Sequence, residues 1–239
     1  MSQKQTKTTN EGKVFSEKEL RELSKGYAQL AMERLDAGDL DEARYWCQRA
    51  VDAQPHVHDF LVNSVAGLLS YIYDKLGEET VVDVLRRTME QQSAKLAPPE
   101  TRGLKEWIIW CADLARQHSA IPGLKVEEDD EKFILTVTCP SGGKLIQEGA
   151  YDGPNGYRRL KKAGPHTWGE VGMPIYCGHC SWTHEIIPIK TFGQGSQFWV
   201  HASPFPKNPG DTCIHHVYKN PEDIPERYYE RLGMKKSHR

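Results

Sequence analysis

No run of about 18 apolar residues, the length a membrane helix needs, occurs in this chain of 239 residues, so a membrane-spanning protein is not expected. Met1 to Lys13 lacks the apolar core and small-residue cleavage site of a secretory signal, which makes the cytoplasm the expected location. An excess of charge of either sign is missing too. The 31 basic and 33 acidic residues leave −2; they divide as 16 against 19 up to Ile121 and 15 against 14 after it. Neither half carries the field that nucleic-acid binding requires. No Gly-x-Ser-x-Gly, no Walker sequence and no His-Glu-x-x-His appears, and the serine-hydrolase, P-loop and zinc-protease classes lose their sequence-level support. Cysteine is scarce, at six residues. Without an export signal these read as thiols or metal ligands rather than disulfides.

What is present changes character along the chain. Residues 1–15 are polar and read as a disordered arm. Residues 16–121 carry helical periodicity and predict a bundle of about five helices. Ser16 and Glu19 have capping-box spacing, and Leu20, Leu23, Tyr27, Leu30 and Ala31 mark one face. After Gly38, a second helix is expected from Leu40 to Ala53, ended by Pro55. Leu30, Ala31, Gly38, Ala43, Ala50 and Pro55 together look like a single tetratricopeptide-type hairpin, but no second copy follows, and such arrays need about three. A third helix, His58 to Leu76, is the most apolar and is expected at the centre of the bundle, with Phe60, Leu61, Val65, Leu68, Leu69, Ile72 and Leu76 inward. A fourth runs from Glu78 to Ser93. Pro98 and Pro99 then restart the chain into a fifth from Glu100 to His118, and Ile121-Pro122-Gly123 closes this half.

Beyond Gly123 the apolar period falls from about 3.6 to 2, so residues 122–233 predict a small, mainly antiparallel β domain. The clearest strand is Lys132 to Thr138. Glu185–Ile189, Gln197–His201 and Cys213–Tyr218 are further strand candidates, followed by a helix from Pro221 to Leu232 and a basic tail over 234–239. The expected fold class is α+β, an N-terminal helical bundle before a β domain organised around one metal.

Four cysteines carry the strongest chemical signal. Cys139 ends the best strand, Cys177 and Cys180 form a Cys-Gly-His-Cys turn, and Cys213 opens the last strand. A Cys-x-x-Cys turn puts two sulfurs within reach of one ion, and two distant cysteines can complete a tetrahedron. Zinc is the expected ion, with iron second. A redox pair fits less well, because the turn is followed by an apparent strand rather than a helix. Four thiolates would make a structural site, whereas three ligands and an open position would make a catalytic one. His179, His184, His215 and His216 stand close enough to replace a sulfur. Cys47 and Cys111 lie at helical spacing among apolar residues and read as core packing.

Between positions 166 and 201, His166, Glu170, His184, Glu185 and His201 alternate with Trp168, Trp182 and Trp199. Aromatic walls with a few converging polar groups are how pockets for organic ligands are built, though the same residues can simply form the core of a small sheet. His184 and His201 are the first general-base candidates, with His166 and His179 behind them. His56-Val57-His58-Asp59 could supply ligands or a proton relay, or be merely a helix start, where the dipole favours Asp59.

As a set, Cys139-Pro-Ser-Gly-Gly, His166-Thr-Trp-Gly, Gly172-Met-Pro-Ile-Tyr-Cys-Gly-His-Cys and the stretch from Tyr218 to Tyr229 resemble a group of uncharacterised bacterial proteins. Those proteins have a helical front half and a cysteine-bearing rear half. The resemblance covers most of the chain after about residue 20 and implies no particular activity. In layout the chain is also similar to aminothiazoline-carboxylate hydrolase-like proteins. The expectation is a metal-dependent hydrolase or lyase acting on a small molecule, without nucleic-acid or membrane partners and with a homo-oligomer left open. The other readings are a binding module stapled by a structural four-cysteine zinc site, and a thiol- or alkyl-transfer protein.

Overall fold

The computed structural model describes residues 14–93 (Ser93 without its side chain), 103–118, 124–194 and 199–236. The polar arm over 1–13, the Pro98-Pro99 restart, the Ile121-Pro122-Gly123 closure, Gln197 and the last three tail residues lie outside them. The chain divides into two compact units, 1–57 and 58–239.

In the first unit, helix α1 (Glu17–Leu23) begins with the expected capping box: the Glu19 amide donates to Ser16 Oγ at 3.3 Å, and the Ser16 amide donates to the Glu19 carboxylate at 2.7 Å. Helix α2 (Tyr27–Asp36) and the start of α3 (Leu40–Leu76) bury Leu30, Ala31 and Ala43. Pro55 does not stop α3, which absorbs the two helices expected around it. Proline removes one helical N–H and crowds the carbonyl four residues back, a local penalty of about 3 kcal/mol that packing on either side can offset. Cys47 is exposed, not core.

The second unit begins within α3. That helix buries Val62, Ala66 and Leu69, while Phe60 is 72% exposed and Leu61, Leu68 and Leu76 are also exposed. It therefore flanks this unit's core instead of running through its centre. Helix α4 (Glu78–Ser93) brings Val81 and Leu85 to a core shared with Leu145, Leu160, Met173, Ile175, Ile186 and Tyr229. Helix α5 (Leu104–Gln117) presents Trp107, Ile108 and Cys111, as its periodicity predicts, to a second core with Leu135, Trp199 and Val217.

Strands β1 (Leu124–Glu128) and β2 (Lys132–Val137) form a hairpin. With β5 (Val200–His201) and β6 (Cys213–Tyr218) they make an antiparallel sheet in the order β1-β2-β6-β5. Helix α6 (Gly142–Gln147) follows β2, and β3 (Arg159–Leu160) pairs with β4 (Met173–Pro174). The fold is α+β, as expected: a long helical region precedes a small antiparallel sheet in the C-terminal half. No described helix is long and apolar enough to cross a membrane.

Two further segments differ from the sequence reading. Glu185–Ile189 is not a strand. Helix α7 (Gly178–Ser181) runs into a π-helical turn, Trp182–Ile186, and on into α8 (Ile187–Phe192). The isoleucines are buried as well in this helix as a strand would bury them, and Pro188 lies in the first turn of α8, where its missing N–H has little consequence. The C-terminal helix is broken into a 3₁₀ turn, Pro221–Asp223, and a short α9 (Arg227–Glu230) around Pro225.

Candidate metal centre and its cavity

Strand ends and helix starts converge on one cavity, with about 100 Å³ open to water-sized molecules. Its wall includes Cys139, Cys177, Cys180 and Cys213 together with His179, His184, His201 and His215. Sequence positions spread over 77 residues thus meet in one place. His166 does not join them. Its Nε2 is buried without a partner and its ring packs against Gly164, away from the cavity wall.

Local structure explains each placement. In the β5–β6 pair His201 stands opposite His215, so both rings project to one face and meet edge-on at 4.4 Å. The π-helical turn carries His184 to the same point, where its Nδ1 lies 2.7 Å from His201 Nε2. π-turns are rare and recur at functional sites because they shift the side chains that follow out of α-helical phase. Cys180 lies one turn earlier, in α7. Among the described residues, Cys180, His184 and His201 form a group whose sulfur and nitrogen ligand atoms all lie within 4.8 Å of one another.

The electrostatics suit a cation at this group. Burial, reinforced by neighbouring histidines, holds His184 and His201 well below the ordinary imidazole range, and burial lowers His215 to about 3. All three rings are therefore neutral at neutral pH, each with one lone pair that can serve a metal ion, although one of the His184–His201 pair accepts the other's N–H in the absence of an ion. His201 Nδ1 and His215 Nδ1 are buried with no hydrogen-bond partner, an arrangement proteins seldom leave unfilled. Burial also pushes the Cys177 and Cys180 thiols up. A bound cation would reverse that for a ligating sulfur. The donor set of one sulfur and two imidazoles could hold zinc or another borderline ion.

Behind the group, Glu185 is fully buried and accepts from the His201 amide at 2.6 Å, Trp168 Nε1 at 2.8 Å and Arg231 Nη2 at 2.6 Å. Burial raises its carboxyl to about 7 against the pull of Arg231. This network fixes the backbone of His201. The sequence places Glu185 in a mixed pocket; its supporting place behind a histidine depends on Arg231, which no spacing rule connects to it.

In the same lining, Cys139 lies where β2 turns into α6. The Cys213 thiol donates to its sulfur and the amides of Gly143, Ser141 and Gly142 point at it, so Cys139 holds the thiolate of the pair and the Cys213 thiol is pushed up. Close approach explains the glycines. A Cβ on Gly142 would sit 2.5 Å from Cys177 Sγ, and one on Gly143 2.9 Å from Cys139 Cβ. The Cys-x-x-Cys turn opens a helix after all, which removes the sequence-level objection to a redox pair.

Ser141 also lines this wall. No sequence pattern marks its side chain, and one of its hydrogen-bond partners, His58, is 83 positions away. Comparison with protein-family models, with curated proteins and with solved structures finds no match to the chain. The reading of the site therefore rests on its geometry.

Proposed function

We propose that this protein is a metal-dependent enzyme acting on a small organic molecule, with Cys180, His184 and His201 as the protein ligands. Zinc is the first candidate ion and iron the second. One observation carries the reading: among the described residues, three donor atoms of the right types lie within 4.8 Å of one another on the wall of a cavity that could admit a small molecule, with His179 Nε2 a further 3.5 Å from the Cys180 sulfur. Three ligands with an open position are the pattern of catalytic rather than structural zinc. A bound ion would supply Lewis acidity for hydrolytic or lyase chemistry. Within the chain, Trp199 packs on His184 and His215, the Glu185 network holds His201, and His215, kept neutral, faces the cavity as a proton acceptor. None of the six cysteines is in a disulfide, which fits work in a reducing cytoplasm.

A second reading is favoured by the presence of all four predicted cysteines on one cavity wall: a structural ion held by Cys139, Cys177, Cys180 and Cys213 in a non-catalytic binding protein. Metal analysis of untagged protein, followed by cobalt substitution, separates the two. The first reading expects one ion per chain, a cobalt spectrum with a single sulfur ligand that changes when small ligands are added, and loss of the ion in His184→Asn. Four-thiolate cobalt absorption that survives His184→Asn and disappears in Cys139→Ser supports the staple. Absence of any retained metal refutes both and favours the redox pair.

A further inference from the structure

Ser141, on the cavity wall, is backed by a second set of polar side chains that lie outside the lining. His58 Nε2 lies 2.9 Å from Ser141 Oγ, and His58 Nδ1 lies 3.2 Å from Asp59 Oδ1. Lys144, from the first turn of α6, reaches back to the other Asp59 oxygen. Ser141 is 6% exposed and borders the cavity together with Gly142 and Tyr176.

The proton positions follow from this geometry. Burial opposes the charge on Asp59, but hydrogen bonds from Lys144 and His58 outweigh it and keep the carboxyl ionised. An ionised carboxylate only accepts, so His58 Nδ1 must donate to it. With Nδ1 carrying the proton, the Nε2 lone pair points to the Ser141 hydroxyl, which can donate to it while also lying within hydrogen-bond reach of Tyr176. A hydroxyl donating to an imidazole whose far nitrogen is oriented by a carboxylate is the arrangement that activates serine for attack, recognised by geometry and not by sequence order.

We propose that Ser141 is a nucleophile toward small acyl esters, with His58 as its base and Asp59 as the group that orients His58. The proposal does not depend on the ion proposed above. Val137, Leu114, Trp199 and Phe205 line the same cavity and suit an apolar acyl chain. As the bond from Ser141 Oγ to the acyl carbon forms, the hydroxyl proton passes to His58 Nε2. The bond from the acyl carbon to the ester oxygen breaks, and the departing alcohol takes that proton from Nε2. Water then adds to the acyl-serine by the reverse exchange, releasing the carboxylic acid and restoring the Ser141 hydroxyl.

The test uses the full chain and a small alkyl fluorophosphonate, which transfers its phosphonyl group to an activated serine with loss of fluoride. Mass spectrometry locates the adduct. One adduct at Ser141 is expected, absent in Ser141→Ala and slowed at least 100-fold in His58→Gln, the lower end of what a general base contributes. Asp59→Asn should slow labelling as well, and it serves in place of His58→Gln if that variant does not fold, as judged by its circular dichroism melt. Wild-type protein that gives no adduct at Ser141 overturns the proposal without any variant. So does a Ser141 adduct formed at an unchanged rate in folded His58→Gln or Asp59→Asn protein.

Discussion

Gly142→Ala adds one methyl group, and the structure gives the sign of its effect. The new Cβ would lie 2.5 Å from Cys177 Sγ and 3.7 Å from Tyr176 Cδ1. Carbon and sulfur in contact prefer more than 3.5 Å, so about 1 Å of separation must be found. Cys177 is 5% exposed and cannot swing away, so the backbone on one side has to move. Overpacking of this kind costs about 1–3 kcal/mol, against a gain of up to about 1 kcal/mol for replacing glycine by alanine in a helix. Gly142 is the first residue of α6, where little of that helix-interior gain applies, so the net loss is about 1–3 kcal/mol, or about 2–12 °C in melting temperature for a unit of this size. Gly67, inside α3, is the matched control: its added Cβ would meet only Tyr157 Cε1, at an ordinary 3.8 Å, so Gly67→Ala should stabilise by about 0.5–1 kcal/mol. Circular dichroism melts of both variants, and of Gly142→Ala combined with Cys177→Ala, test the reasoning. The double variant should recover part of the loss because the sulfur is gone. A Gly142→Ala melt equal to wild type, or no relief in the double variant, would refute the steric account.

Acid should destabilise the fold. His184, His201 and His215 are neutral when folded and take up protons near pH 6.5 when unfolded, so stability present above that pH is lost as pH falls below it, at about 1.4 kcal/mol per unit for each histidine. Glu185 opposes this with one such increment between about 4.5 and about 7, because its folded carboxyl holds a proton that the unfolded chain releases. The sum is about 3 kcal/mol lost per pH unit below 6.5, readable by urea titration; equal stability at pH 7 and pH 5.5 would contradict it. Among the cavity cysteines, Cys139 should be alkylated by iodoacetamide well before Cys177 and Cys180, since thiolate is the reacting form. Peptide mapping that finds Cys177 or Cys180 modified first would overturn that order.

Much of the fold was legible because it depends on neighbours a few residues apart. The α1 capping box, the apolar face of α5 and the alternation in β2 are local patterns, and each forms where its spacing predicts. Local patterns failed where distant packing outweighed them. Pro55 reads as a stop but lies inside α3. The run from Glu185 to Ile189 favours a strand by composition, yet Glu185 meets its hydrogen-bond donors, including Arg231 from 46 residues away, as part of a π-helical turn. Cys47 has core spacing and is exposed, because helical periodicity identifies a face but not what covers it.

By itself the sequence determined the α+β class, the change from helix to strand after Gly123, and the residue types able to hold an ion. Tertiary structure alone decided which of them meet. The β5–β6 register sets His201 beside His215, and the π-helical turn adds His184 and brings the cluster within reach of Cys180. Chain crossing of the same kind sets His58 against Ser141. The physical reason is one of range: backbone preference and periodicity act over a few residues, whereas a site needs atoms a few ångströms apart whose separation along the chain carries no signal of that proximity.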